Sequence, residues 1–140
     1  MAGFTNTTET AVLDHIFGKT AYTQPTHLYV GLSTTTPIEA GTNFTEPSSG
    51  AYARVDTEPT DWNAAVSGDP AITDNASVIT FPTATASWGT VTHFGIYSAS
   101  TGGTLILWGA LTANKTIDTD DTPQFAIGAL DVKLGDANDV

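Results

Sequence analysis

Residues 81–112, FPTATASWGTVTHFGIYSASTGGTLILWGALT, decide how this chain folds. Within 91–97 the odd positions are Val91, His93, Gly95 and Tyr97 and the even ones Thr92, Phe94 and Ile96. That period of two fits a pleated strand with two distinct faces. Ser98, Ala99, Ser100 and Thr101 then lead into Gly102 and Gly103, and paired glycines accept the positive φ of a tight turn without a Cβ clash. The return strand over 104–111 sets Leu105, Leu107 and Leu111 on one face and Ile106, Trp108 and Ala110 on the other. A strand apolar on both faces is central in its sheet or covered by a partner.

Outward from this hairpin the same alternation recurs. Residues 27–34 alternate Leu28, Val30 and Leu32 with Tyr29, Gly31 and Ser33, a half-buried strand. Shorter strands are predicted at 52–55, at 62–66 and at 75–81, where Pro82 ends the ladder because it has no amide hydrogen. One strand over 124–134 is expected to close the fold. Residues 35–50, with Pro37, Gly41, Pro47, Ser48, Ser49 and Gly50, defeat regular structure and form a long loop, the kind of segment that usually carries function or is disordered. A single helix is predicted over 7–17, with Asn6 and Glu9 as a capping box, Val12, Leu13, Ile16 and Phe17 as its apolar stripe, and Gly18 and Lys19 at its C-terminal end. So short a helix is marginal alone, and its stripe must pack on its own sheet or insert into a neighbouring subunit. Several short strands and one helix predict a mainly β chain, an antiparallel β-sandwich or jelly-roll-like domain spanning 1–140, with residues 1–18 as an N-terminal arm and helix.

Composition narrows the partners. Four Lys and Arg residues against fifteen Asp and Glu give a formal charge of −11, whereas nucleic-acid binding draws on clustered cations, so no nucleic-acid partner is expected. No run approaches the roughly 20 apolar residues of a membrane span, and the start lacks the basic and apolar regions of a signal peptide, which predicts no membrane partner and synthesis in a cytoplasm. Threonine is about one residue in five, a β-branched composition that favours strands.

No catalytic set emerges, and no enzyme or cofactor is expected. No serine sits in a G-x-S-x-G elbow, and no linear pattern pairs two carboxylates for glycoside hydrolysis. His15, His27 and His93 lack zinc-site spacing. The acidic run Asp118-Thr119-Asp120-Asp121 lacks the loop and terminal glutamate of an EF-hand and is expected to be a solvated turn, as are Asp136 and Asp139. The aromatic residues admit two roles: sugar-stacking platforms, with Trp62 and Trp88 near loops, or core and interface anchors, the role expected of Trp108.

The chain resembles a family of small tailed-bacteriophage structural proteins, often labelled phage tail fibre protein or gp80-like virion protein. The resemblance is carried by Leu13-Asp14-His15 with Gly18, by Tyr22-Thr23 with Pro25, by residues 29–34 and by Gly50 with Tyr52-Ala53-Arg54. Residues 81–112 carry it most strongly, and Lys115-Thr116-Ile117 and Asp121-Thr122 through Phe125 and Gly128 extend it. A glycine commonly precedes the Asp-Thr pair in that pattern, where this chain has Asp120. The resemblance implies a virion component and no catalytic residues. A compact acidic β module suits a capsid decoration or cement protein, bound to the major capsid protein on the outer capsid surface, with a homotrimer the favoured oligomer. A tail fibre or tail-tip module is the alternative, and a carbohydrate-binding β-sandwich that recognises host-surface glycans is the more distant one. The residues expected to face partners are Phe4, Val12, Leu13, Ile16 and Phe17 in the N-terminal segment, Phe44, Tyr52 and Arg54 on and after the long loop, and Trp62, Trp88, Tyr97 and Trp108.

Overall fold

The computed structural model describes residues 2–68 and 70–134. Asp136 and Asp139 lie outside the described residues. The elements in chain order are β1 (Ala2–Phe4), α1 (Asn6–Ile16), β2 (Leu28–Ser33), β3 (Val55–Thr57), a 3₁₀ turn (Pro59–Asp61), β4 (Ala71–Thr73), β5 (Ile79–Thr80), β6 (Gly89–Tyr97), β7 (Leu105–Ile117), β8 (Gln124–Phe125) and β9 (Val132–Leu134). The chain is mainly β with one α-helix among the described residues, and its packing is sandwich-like, with a seven-stranded sheet opposed by a two-stranded one. The large sheet runs β3-β2-β6-β7-β1-β9-β4 and the small one is β5-β8. Neighbours pair antiparallel except β1 with β9, which meet in parallel at Ala2 and Val132.

The opening hairpin is the spine. Strands β6 and β7 pair from Gly89 with Ile117 to Tyr97 with Leu105, and irregularities after Val91 and Ile96 reset the alternation. Strand β7 lies between β6 and β1, and its first three residues, Leu105, Ile106 and Leu107, are buried, while Trp108 and Leu111 are half-buried and Ala110 is exposed. It also runs to Ile117, beyond the predicted 104–111, because Thr90 and Thr116 pair across the strands through their hydroxyls at 2.9 Å.

One face of the large sheet holds the core: Val30 and Leu32 of β2, Val91, Phe94 and Ile96 of β6, and Leu107 and Ile117 of β7, with Ile79, Phe81, Trp88 and Leu130 above them. The small sheet covers this face through rings, Phe125 lying 6.0 Å from Phe94 and 6.1 Å from Phe81. Burial of each such side chain contributes roughly 1.5–3 kcal/mol.

Several predicted boundaries move. The expected strand over 124–134 is two strands, β8 in the small sheet and β9 in the large one, with Gly128 at φ 70 between them; a continuous strand could not serve both sheets. The strand expected at 52–55 begins at Val55, and the one at 62–66 reduces to bridges from Trp62 to Asn75 and from Val66 to Ile72. The helix begins one residue early. Thr5 stands at its N-cap and Asn6 is its first residue, so the predicted capping box does not form. Gly18 closes it with a left-handed φ of 68.

Candidate partner-facing surface

Helix α1 is turned inside out. Strand β1 pairs with β7 only as far as Phe4 opposite Leu107, which leaves the carbonyls of Leu105 and Ile106 beyond the end of the short strand. Threonine hydroxyls take them up: Thr5 Oγ1 donates to the Leu105 carbonyl at 2.7 Å and Thr8 Oγ1 to the Ile106 carbonyl at 2.9 Å. The Thr5 amide also donates to Ile106 at 3.0 Å, and the Asn6 amide donates to the Glu39 carbonyl at 2.8 Å. Buried acceptors need partners, so these bonds set the rotation of the helix about its axis and bury Thr5 and Thr8. The apolar stripe is thereby turned to solvent, with Leu13 55%, Ile16 66% and Phe17 71% exposed and Val12 half-buried. Of the two fates expected for this stripe, packing on its own sheet is not what the structure shows.

The long loop has the opposite arrangement. Gly31 and Gly95 face each other across β2 and β6 and leave a trough on the sheet face away from the core. Phe44 lies in it so closely that a Cβ on Gly95 would stand 2.5 Å from the Phe44 ring, and one on Gly31 would stand 3.0 Å from the Glu46 carboxylate. Arg54, whose side chain is 6% exposed, ties this arrangement together. Its guanidinium donates to Glu46 through Nε at 2.9 Å and a terminal nitrogen at 2.8 Å, and to the Ala99 and Gly102 carbonyls at 2.7 and 2.8 Å, while its Cζ lies 3.4 Å above the Tyr97 ring. Burial works against the Arg54 charge, yet the hydrogen bonds and Coulomb attraction of Glu46 outweigh it and raise its pKa. Burial likewise pushes the Tyr97 phenol up, and the Tyr52 phenol far up. Tyr52 Oη accepts the Leu32 amide at 2.9 Å, next to the point where β3 stops pairing, and donates to Glu46 at 2.8 Å. Gly50 completes the anchorage, its carbonyl accepting the Trp88 indole at 2.8 Å.

The residues predicted to face partners therefore separate. Leu13, Ile16 and Phe17 form an exposed stripe. Phe4 and Tyr52 pack against the core, Trp88 is 4% exposed within it, and Tyr97, Arg54 and Phe44 are committed to the loop anchorage. These side chains leave little surface for a partner, because neighbours of the same chain already occupy them. Trp62 is half-buried and donates to Thr57 Oγ1 at 3.1 Å. Trp108 is half-buried beside His93, ring centroids 5.8 Å apart, and its indole N–H meets no acceptor among the described residues. Burial holds the His93 pKa below the ordinary histidine value. Sequence patterning alone missed Glu46, Thr5, Thr8 and the glycine trough. The available signals were the glycines on matching faces of two β-rich strands and the threonines three residues apart at the helix start.

The three histidines have separate hydrogen-bond partners. His15 Nδ1 accepts the Tyr22 amide at 3.2 Å, His27 pairs with Asp56 at 2.8 Å, and His93 contacts Thr92 at 2.7 Å. The acidic run is a turn in which the Asp121 carboxylate accepts the Asp118 amide at 2.9 Å, and Asp120 adopts φ 72. Among the described residues no three His, Asp or Glu side chains gather as metal ligands.

The fold is sandwich-like and mainly β, fastens its own loop and leaves a helix stripe bare. The chain belongs to the family described as Podophage GP4 fiber I protein gp80, whose model matches residues 3–133. That places it among phage structural proteins, components of the virion. No curated protein matches the chain.

Proposed function

We propose that this protein is a decoration subunit of the phage shell, docked on the outer capsid surface by the apolar stripe of α1 and bridging neighbouring copies of the major capsid protein. The stripe carries the proposal: three large apolar side chains are held in water by a helix whose orientation is fixed by hydrogen bonds to β7. Burial of such side chains is the main favourable term in association, and a shell seam that covers them gains resistance to internal pressure. Like-charged copies of a −11 chain repel over a Debye length of about 10 Å at 0.1 M salt, so a homotrimer is assembled on the shell more readily than in solution. The sequence holds no heptad or repeat from which a fibre shaft is wound.

The family's description as a fibre protein favours a second reading, a tail-fibre or tail-tip module attached by the same stripe. Copy number in purified virions separates the two. Decoration requires copies comparable in number to the shell subunits, and a handful located at the tail overturns it. In either case a Phe17→Asp and Ile16→Asp double variant that folds normally is expected to be lost from particles. Full incorporation of that variant removes α1 as the attachment element.

A further inference from the structure

The strap of residues 24–27 separates two clefts on the side of the molecule near the start of β2. One, of about 620 Å³, lies between the strap, α1, Tyr29 and the turn after β6; the other, of about 430 Å³, lies between the strap and residues 57–64. Both fall within the range of about 300–1,000 Å³ usual for small-ligand sites. From their chemistry the geometry points to a binding site for neutral oligosaccharides that straddles this strap. The inference does not depend on where in the particle the protein sits.

Three features support it. First, the larger cleft offers a prearranged aromatic pair. Tyr29 and His27 stack with centroids 6.4 Å apart and planes inclined by 23°, and the His27 ring is held by Asp56, to whose carboxylate Nδ1 donates at 2.8 Å. That bond leaves Nε2 free to hydrogen-bond a sugar hydroxyl. Second, the polar groups around the rings are hydroxyls and an amide, from Thr7, Thr23, Thr26, Ser98 and Gln24. Hydroxyls both donate and accept, which matches a ligand made of hydroxyls, and Ser98 Oγ already accepts the Thr104 amide at 2.9 Å and so has its own hydrogen to give. Third, neither cleft is lined by lysine or arginine, and the smaller contains Glu58. A phosphorylated, sulfated or sialylated ligand would find no lysine or arginine there, while an extended lipid would strand the hydroxyls. In the smaller cleft Trp62 contributes an indole whose N–H is already taken by Thr57, leaving the ring itself as a contact surface. Trp88, the other sequence candidate for a sugar platform, is buried elsewhere.

The test is binding of the purified full-length protein to an array holding neutral, sialylated and sulfated oligosaccharides, followed by titration calorimetry of the neutral hits. The expected result is binding confined to neutral glycans. Tyr29→Ala should weaken it about tenfold, in line with loss of an aromatic contact. Gln24→Ala and Thr26→Ala, at exposed positions, should weaken it with an unchanged melting temperature, so they decide the matter if Tyr29→Ala unfolds the protein. Silence across the neutral set, preference for anionic glycans, or neutral binding that survives both exposed-site variants overturns the assignment.

Discussion

Residues 34–54 and helix α1 show opposite relations between sequence and surface. The loop is rich in proline, glycine and serine and reads as a segment that carries function or is disordered, yet it is bound down by a glycine trough, a buried ion pair and two core aromatics. The helix has a regular apolar stripe that reads as packed on its own sheet or inserted into a neighbour, and within this chain the stripe is bare. Backbone groups explain both. The loop lies over Gly31 and Gly95, where the sheet has no side chains, so ring and carboxylate approach the strands directly. The helix sits where β1 ends and the carbonyls of β7 still need donors, and threonines meet that need better than leucines do. Polar satisfaction, which periodicity does not report, assigned each segment its side.

The most severe way to break the contrast is Arg54→Ala. It removes the bidentate pair, leaves the Glu46 carboxylate facing the sheet and strips donors from the Ala99 and Gly102 carbonyls. Breaking one partner of a buried pair costs about 3–5 kcal/mol, and the lower end applies because Glu46 keeps some contact with water. Urea unfolding should show this loss, together with new protease cleavage within 34–54. Arg54→Lys should recover little, since an ammonium cannot make the fork or lie flat on Tyr97. A loss below about 1 kcal/mol would mean that the loop holds itself.

Gly95→Ala sharpens the same point with one methyl group. Its Cβ would stand 2.5 Å from Phe44 and 2.7 Å from Leu105, both side-chain tips able to shift, so overpacking should cost about 1–3 kcal/mol. Combination with Phe44→Leu should cost less than the sum of the two single changes, because the clash and the ring occupy the same space. Additive losses would indicate that Phe44 does not lie in the trough in solution.

The hairpin over 81–112 was legible because its period of two and its paired glycines are local signals; the structure adds the irregularities that reset its faces and the extension of β7 to Ile117. Strand β1 was not legible: three residues carry no period, and its place between β7 and β9 is set by partners more than a hundred residues away. The division of 124–134 was hidden for a similar reason, since Gly128 reads as one position of an alternating strand until two sheets compete for its flanks. Of the candidate contact residues, the α1 stripe read as apolar with two fates open, its own sheet or a neighbouring subunit, and periodicity does not choose between them; the structure leaves Leu13, Ile16 and Phe17 exposed. Arg54 stood out as the lone arginine, while its acceptor Glu46 is one carboxylate among fifteen and nothing in the sequence distinguishes it. Asp120 adopts a φ of 72, the left-handed conformation that glycine adopts most readily.

The smallest expected effect tests the helix most directly. Phe17→Ser and Ile16→Ser should each change stability by less than about 0.5 kcal/mol, as substitutions on a solvated surface do. Thr8→Val, nearly the same shape with the hydroxyl removed, should cost about 1 kcal/mol, because one of the bonds that seat the helix on β7 is lost. On an ordinary amphipathic helix the ranking is reversed: deletion of a buried isoleucine or phenylalanine costs about 2–5 kcal/mol, and a threonine-to-valine change costs little. Thermal melts of the three variants therefore report the helix's rotation without any partner present. If Phe17→Ser proves costlier than Thr8→Val, the stripe lies on the sheet of the free protein, and the contrast between helix and loop disappears along with the docking surface built on it.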